Sequence, residues 1–450
     1  MRNYPFGLLR AVFTRFWSLT AIACLVAMTA GDARAAIVND AGTGTWNTPG
    51  SWADGVVPTS SADVITIDEY VISATSGAAG TFTGGEIHIS GAGELKFISG
   101  YQSTAPAALN LYMNGGTFRT GNGNTFAGGP AGSLQAIDIS GISTIIGSSG
   151  GDSTTIGSAT NSAALTGAGT LVKMGAGGIA FESGSAGTGS DFRGTLDIRE
   201  GSLTVTNQGM LKEASVILSP GSRLHIKANG TGFASTGAAS TPVVKSLYGS
   251  GLLSWSHGGY ARDLAIAAGG VLSPGTATTA GTITRSSATN SNDLIFKTDA
   301  VLGRSTLEMD IFGVDSADKI SWLDAVGTAT SMVDFRNANL TVRMFTPSED
   351  LATTQWVLIE SDVFGAASAS SSSSSGISQI TFGGPISFLN ADGSPIDEGW
   401  QDLQVTYDYT AGNSQVILTG RYAAVPEPMT LGLLVIGGLG VLIRSRRQRA

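Results

Sequence analysis

The chain is nearly without cysteine and poor in histidine. Its one cysteine, Cys24, lies in an N-terminal apolar stretch, and its three histidines stand apart in sequence: His88, His225 and His257. Beyond that stretch, disulfides, iron–sulfur clusters, thiolate catalysis and cysteine-based zinc sites are therefore excluded. No His-x-x-x-His or Glu-x-x-His spacing supports a histidine metal site, so we predict no metal site there and no cofactor.

Charge is also scarce. Charged residues make up 13% of the chain, and the acidic excess gives a formal net charge of −9 at pH 7. Because both ends are basic, residues 36–426 alone carry −15. Phosphate binding needs clustered Lys and Arg, so we expect no nucleic-acid partner. Charge attraction to an anionic polysaccharide is disfavoured for the same reason, whereas bridging by a divalent cation stays open.

Catalytic motifs are absent as well. The sequence has no P-loop. The paired carboxylates of a polysaccharide lyase or hydrolase would come from different coils of a repeat, where spacing does not reveal them. The best candidate ion site is the trio Asp310, Asp315 and Asp318, whose oxygens suit Ca²⁺. Aspartates in turns more often bond their own backbone, and the trio lacks the spacing of an EF-hand.

Glycine is abundant, with 63 residues among 450, yet 42% of the chain is hydrophobic, as in folded proteins. Between residues 81 and 300 a unit of strand, glycine turn and strand recurs with imperfect spacing of roughly 20 to 30 residues, within the range of solenoid repeats. Such a unit cannot bury its own apolar face, so neighbours must stack. The clearest copies are 85–97, 165–173, 194–205 and 215–226.

These repeats predict an all-β fold, a parallel β-helix or β-solenoid, with a sandwich of short strands as the alternative. The segment 165–205, with its Gly-Ala-Gly-Thr-Leu-Val-Lys and Gly-Ser-Leu-Thr-Val elements, resembles the autotransporter-associated β-strand repeat of passenger domains. Those proteins end in an outer-membrane barrel, for which this chain has no pattern. Export by their route is therefore not implied.

Two regions flank the repeats. Residues 36–80 carry Trp46 and Trp52 around an Asn/Pro/Gly turn, which predicts an N-terminal β hairpin or cap; carbohydrate stacking by the two rings is the alternative. Residues 301–423 have longer strands, a serine-rich loop at 370–375, and two strands at 403–407 and 414–418 that predict a closing hairpin. We expect this C-terminal β region to seal the solenoid.

The N-terminus carries the signals of an exported protein. Arginines precede an apolar stretch at 16–28, and the small residues of a cleavage site follow: Ala33, Ala35 and Ala36. We therefore assign 1–35 to a signal peptide; an uncleaved signal anchor is the alternative. Ala21 stands where a lipoprotein signal would prefer Leu, which disfavours lipidation of Cys24.

The last residues, 424–450, combine three signals. A stiff, proline-containing motif comes first, then an uncharged apolar run at 429–443, which as a helix of about 22 Å is shorter than a comfortable span. A basic tail follows, which the positive-inside rule keeps cytoplasmic. The motif consists of Val425, Pro426, Glu427 and Pro428, and the tail contains Arg444, Arg446, Arg447 and Arg449.

This order resembles the PEP-CTERM sorting signal. The resemblance implies a short C-terminal hydrophobic helix that anchors the chain transiently in the inner membrane. It also implies an exosortase-type membrane protease as partner, and delivery to the cell surface and its exopolysaccharide. An ordinary, permanent C-terminal anchor is the alternative.

Together these features predict an exported, non-enzymatic surface or extracellular-matrix protein with a structural or adhesive role linked to exopolysaccharide. A secreted carbohydrate-active β-helix enzyme is the alternative.

Overall fold

The computed structural model describes the β-rich body of the chain and leaves out both predicted targeting segments, the serine-rich segment and several shorter stretches. The described residues are 36–39, 44–58, 64–74, 86–97, 109–121, 134–147, 153–157, 165–182, 192–206, 210–227, 243–256, 264–285, 293–323, 332–347, 350–364, 380–396, 399–410 and 413–423.

These residues form 36 β-strands and one 3₁₀ turn, Pro49–Ser51. The strands of the first half are β1 (Ala36–Asn39), β2 (Gly44–Thr45), β3 (Val64–Ile67), β4 (Val71–Ala74), β5 (Glu86–Ser90), β6 (Glu94–Phe97), β7 (Leu109–Asn114), β8 (Thr117–Arg119), β9 (Leu134–Ile139), β10 (Ile142–Ile146), β11 (Ser153–Gly157), β12 (Leu165–Gly167), β13 (Thr170–Met174), β14 (Gly178–Glu182), β15 (Thr195–Ile198), β16 (Ser202–Val205), β17 (Ser215–Leu218) and β18 (Arg223–Lys227).

The strands of the second half are β19 (Val243–Val244), β20 (Ser246–Gly249), β21 (Gly251–Ser256), β22 (Leu264–Ile266), β23 (Val271–Pro274), β24 (Thr282–Arg285), β25 (Leu294–Phe296), β26 (Thr298–Asp299), β27 (Gly303–Gly313), β28 (Ser316–Ala317), β29 (Lys319–Trp322), β30 (Met332–Asp334), β31 (Ala338–Met344), β32 (Leu351–Ser361), β33 (Val363–Phe364), β34 (Ile386–Asn390), β35 (Trp400–Asp408) and β36 (Ser414–Tyr422).

The strands lie in four sheets, along which strands from successive coils stack on one another. Sheet A has six strands, from β1 to β12, and sheet D has five, from β19 to β33. Sheet B has 15 strands and runs through the whole body from β2 to β34, whereas sheet C has ten and begins at β11. In the coils that contain them, A or D strands come before the B strand and C strands after it. The winding is therefore that of a parallel β-solenoid.

Alternation of buried and exposed side chains explains the stacking. In β5 and in β15 every second residue is buried, so one row of side chains points into the coil and the next points out. Parallel pairing in register places inward residues above one another: Leu171 lies beside Leu196, and Leu196 beside Val216. The inward rows merge into one apolar core that extends from Trp46 to Tyr422.

The all-β prediction and its long parallel sheets are confirmed for the described residues. Coil length varies, since Thr195 pairs with Ser215 but Ser215 pairs with Ser246. The parallel sheets continue across residue 300, where β23 pairs with β27. β32, β36 and β35 pair in antiparallel at the C-terminal end, so the two strands predicted at 403–407 and 414–418 do form a hairpin.

At the N-terminal end the structure differs from the expected hairpin. β1 pairs with β3 and β2 with β4, both in parallel, because these strands already belong to successive coils. No helix among the described residues is long and apolar enough to cross a membrane. The predicted helix at 429–443, the sorting motif and the basic tail lie outside the described residues, as do Ala33 and Ala35 of the signal cleavage site, whereas Ala36 begins β1.

Candidate functional site

The strongest cluster of buried charge lies where sheet B turns into sheet C. Asp310 is on β27, and its register partner on β31 is Arg343. Asp318 lies between β28 and β29, because β28 folds back antiparallel on β27 and returns the chain beside Asp310. Asp310 and Asp318 are both almost completely buried. We call these three residues the corner cluster.

A forked ion pair holds the first half of the corner cluster. Nε of Arg343 donates to Oδ1 of Asp310 at 2.6 Å, and its Nη2 donates to Oδ2 at 2.8 Å. Arg343 also lies 3.9 Å from Glu308. Burial raises the pKa of Asp310, and the hydrogen bonds and positive charge of Arg343 oppose that rise. Two charge-assisted bonds to one guanidinium favour the ionised carboxylate.

Asp318 is held by backbone amides instead. Its Oδ1 accepts the Gly281 N–H at 3.0 Å, and its Oδ2 accepts the Asp310 N–H at 3.0 Å. Burial raises the pKa of Asp318 to about 7; the negative charge of Asp310 adds to the rise and the two amide bonds counteract it. This carboxyl therefore changes its protonation state near neutral pH. Its two oxygens connect turns that are distant in sequence.

The glycine turn that receives Asp318 has no room for a side chain. Gly275 has φ +80°, and a Cβ there would collide with Oδ1 of Asp318. Gly281, which donates to the same oxygen, packs against Gly275. Two glycines thus let a carboxylate from a later coil reach the backbone of an earlier one.

This geometry does not bring the predicted calcium trio together. Asp315 is exposed in the β27–β28 turn, while the oxygens of Asp310 and Asp318 accept hydrogen bonds from the protein itself. Within the part of the chain that the structure describes, no three His, Cys, Asp or Glu side chains are arranged to hold a metal ion. The contacts of the corner cluster are those of a structural site that holds neighbouring coils together.

Two of the three histidines are described, and both lie on outward rows. His88, on β5, stacks on Tyr112 with ring centroids 4.7 Å apart and lies 3.5 Å from Glu86. His225, on β18, has its Nδ1 2.8 Å from the Ser254 hydroxyl on β21. Each therefore has a partner on its own face of the solenoid. His257 lies outside the described residues.

The two N-terminal tryptophans belong to the core. Trp52 and Trp46 are buried, and their rings meet edge to face at 5.1 Å. Nε1 of Trp52 donates to the Trp46 carbonyl at 2.9 Å. Rings buried in this way have no free face for a sugar, so the capping interpretation fits and the carbohydrate-stacking alternative does not.

Sequence patterns did not reveal two of the most perturbed groups. Nothing in the sequence around Arg343 marks it as special, because its position beside Asp310 follows only from the pairing of two strands. Lys173 lies in an inward row between Ile145 and Ile198. Its Nζ donates to the carbonyls of Met174 and Gly175, and burial lowers its pKa to about 8. Alternation in β13 could have flagged Lys173, because it falls on an inward position.

Comparison with known proteins adds no relative: neither any protein-family model nor any curated protein matches this chain.

Proposed function

We propose that this protein is an exported, non-enzymatic β-solenoid with a structural or adhesive role at the cell surface or in the extracellular matrix. The single observation that carries the proposal is the 15-stranded sheet that runs through one continuous core. Stacked coils make a long, stiff body from a chain without disulfides. Its length and repeated outer faces suit a scaffold.

The corner cluster supports the structural role over catalysis. A catalytic carboxylate needs an oxygen that can reach substrate. In Asp318, however, each oxygen already accepts a backbone amide, and in Asp310 each accepts Arg343. Their bonds link coils that are more than 30 residues apart in sequence.

The proposed localisation rests on the two ends of the chain. β1 begins at Ala36, so cleavage by signal peptidase before that residue would leave the first strand intact. β36 ends at Tyr422, shortly before the motif that begins at Val425, so removal of the tail would leave every described strand in place. We infer that an exosortase-type protease processes the tail and that membrane anchoring is transient.

Intact mass of the protein from its own cells, fractionated into medium, envelope and cytoplasm, tests this proposal. We expect a surface or medium species that starts near Ala36 and stops near Pro428. A species in the envelope that retains residues 429–450 would instead identify a permanent anchor. An unprocessed species in the cytoplasm would contradict export.

Incubation of the full chain with a panel of polysaccharides tests the non-enzymatic part. We expect no new reducing ends. New reducing ends that one carboxylate substitution abolishes would replace the structural role by that of a carbohydrate-active enzyme.

A further inference from the structure

The outward face of sheet A carries a continuous row of hydrogen-bonding side chains. Five strands each contribute one residue to it, and successive members are register partners. At about 4.8 Å per strand the row is on the order of 19 Å long. We call it the outer strip; its members are Thr66, His88, Tyr112, Asp138 and Thr166.

All five members are partly exposed. The His88 side chain is 40% exposed and that of Glu86, beside it, 28%. Asn110, the register partner of Glu86, is also partly exposed, which widens the strip by a carboxylate and an amide. The core therefore does not require these side-chain types.

Contacts within the strip orient its polar atoms. The rings of His88 and Tyr112 are nearly parallel, at 12°, so they stack along the solenoid axis and turn their edges outward. The Thr166 hydroxyl donates to Oδ2 of Asp138 at 2.8 Å, which fixes that carboxylate on the same line. The strip thus offers a carboxylate, an imidazole, a phenol and hydroxyls in a preset order.

We infer that the outer strip binds a neutral, extended polysaccharide along the solenoid axis. The inference rests on the proposed surface role and adds its ligand class. Carboxylate and amide oxygens accept hydrogen bonds from sugar hydroxyls, and bonds to a charged acceptor are the stronger kind. The strand spacing is close to the length that one sugar ring adds to an extended glycan, so successive sugar rings lie over successive strands.

The charge of the strip selects this ligand over others. Asp138 and the adjacent Glu86 are acidic, and His88 is the one basic side chain among the strip and its two neighbours. Such a surface repels anionic polysaccharides and nucleic acids. None of the strip side chains is aliphatic, so a lipid or an apolar peptide finds no surface to bury.

The experiment uses the full-length chain and the exopolysaccharide of the producing cells, separated by anion exchange into neutral and acidic fractions. Affinity electrophoresis measures binding of the wild type and of the double variant His88→Ala/Asp138→Ala. The matched control is Thr117→Ala/Thr144→Ala, which removes partly exposed, register-paired residues from sheet B. Thermal unfolding of each protein checks that the solenoid is intact.

We expect the neutral fraction to retard the wild type and the control alike. The strip variant should bind at least about tenfold more weakly, because it loses a charged acceptor and the imidazole. Equal retardation of the strip variant and the wild type would overturn the inference. So would binding of the acidic fraction alone, with or without added Ca²⁺, or no binding of the neutral fraction.

These outcomes separate the inference from the proposed function. If the protein is processed and found at the surface but the strip variant binds like the wild type, the proposed structural role holds and the inferred binding by the outer strip is wrong. New reducing ends in the neutral fraction would remove the non-enzymatic role, even if the strip variant bound weakly.

Discussion

Replacement of Asp318 by asparagine should remove a pH dependence of stability that the wild type has between about pH 4 and pH 7. The change is nearly isosteric, but it removes the ionisable group at the centre of the corner cluster. The amide keeps one oxygen for the Gly281 or the Asp310 N–H and places an NH₂ group against the other donor. We expect about 1–3 kcal/mol of destabilisation at low pH from this unmatched donor.

The sign of the pH effect follows from the direction of the pKa shift. Burial raises the pKa of Asp318 from 3.8 to about 7, so the folded protein binds a proton that the unfolded chain has released. This contribution to stability is fully present below the unfolded pKa and is lost as the pH rises through about 7. At about 1.36 kcal/mol per pH unit, it amounts to at most about 4 kcal/mol.

Urea unfolding at pH 4.5, 6 and 8 measures this difference, because the titration of groups far from Asp318 cancels between wild type and variant. Hydrogen exchange of the Gly281 and Asp310 amides, which Asp318 binds, gives a local readout. The control is Asp315→Asn, which changes the same charge at an exposed position of the same hairpin. If Asp318→Asn kept the wild-type pH slope, or if Asp315→Asn removed it, our reasoning about the buried carboxyl would be wrong.

Three further substitutions probe the same physics. Arg343→Met should destabilise the chain by on the order of 2 kcal/mol, because it leaves Asp310 buried without its cation; Arg199→Met, at an exposed ion pair, should change the urea midpoint little. Gly275→Ala should lower the thermal unfolding midpoint clearly more than Gly221→Ala, because Gly221 also has a positive φ, +81°, but open space where a Cβ would lie. Equal losses of stability would mean that only backbone strain matters. Lys173→Met should abolish a rise in stability between about pH 8 and pH 10.5, because the folded pKa of Lys173 is lowered to about 8; an unchanged rise in alkaline urea titrations would contradict this assignment.

The fold was predictable because its signal is local and repeated. The units at 194–205 and 215–226 each alternate apolar and polar residues around a glycine turn, and each becomes two strands of one coil, β15 with β16 and β17 with β18. Gly201 and Gly221 have positive φ at those turns, as the pattern of strand, glycine and strand required. A chain of such units has few ways to bury its apolar rows other than stacking them.

The corner cluster was not predictable because its contacts depend on register between coils of unequal length. Asp310 and Asp318 are eight residues apart and drew attention together, but Arg343 is 33 residues from Asp310 and Gly281 is 37 from Asp318. Sequence spacing cannot predict which residues pair when the coils between them differ in length. The trio therefore suggested a cation ligated by carboxylates, whereas the fold supplies an arginine and backbone amides to two of its members.

Only the hairpin part of the N-terminal prediction differs from the structure, and for a related reason. Two tryptophans around a turn are typical of a hairpin, and the sequence does not show whether β2 pairs with the next strand or with the next coil. Pairing of β2 with β4 in parallel places Trp46 and Trp52 against the first inward row. Their burial near the first coil contributes apolar area where a terminal coil has a neighbour on one side only.

The C-terminal end is closed in a different way. On sheet C, the edge of β32 is occupied by β36 in antiparallel pairing, so no further parallel coil can follow there. On sheet B, the turn after β34 folds back and bridges Leu389 with Pro395. The hydroxyl of Tyr407, on β35, accepts the Phe382 N–H, and the hydroxyl of Tyr409, just after β35, donates to the Ile380 carbonyl. Because open parallel edges invite pairing with other chains, the antiparallel hairpin and the folded-back turn protect the last parallel strands of sheets C and B.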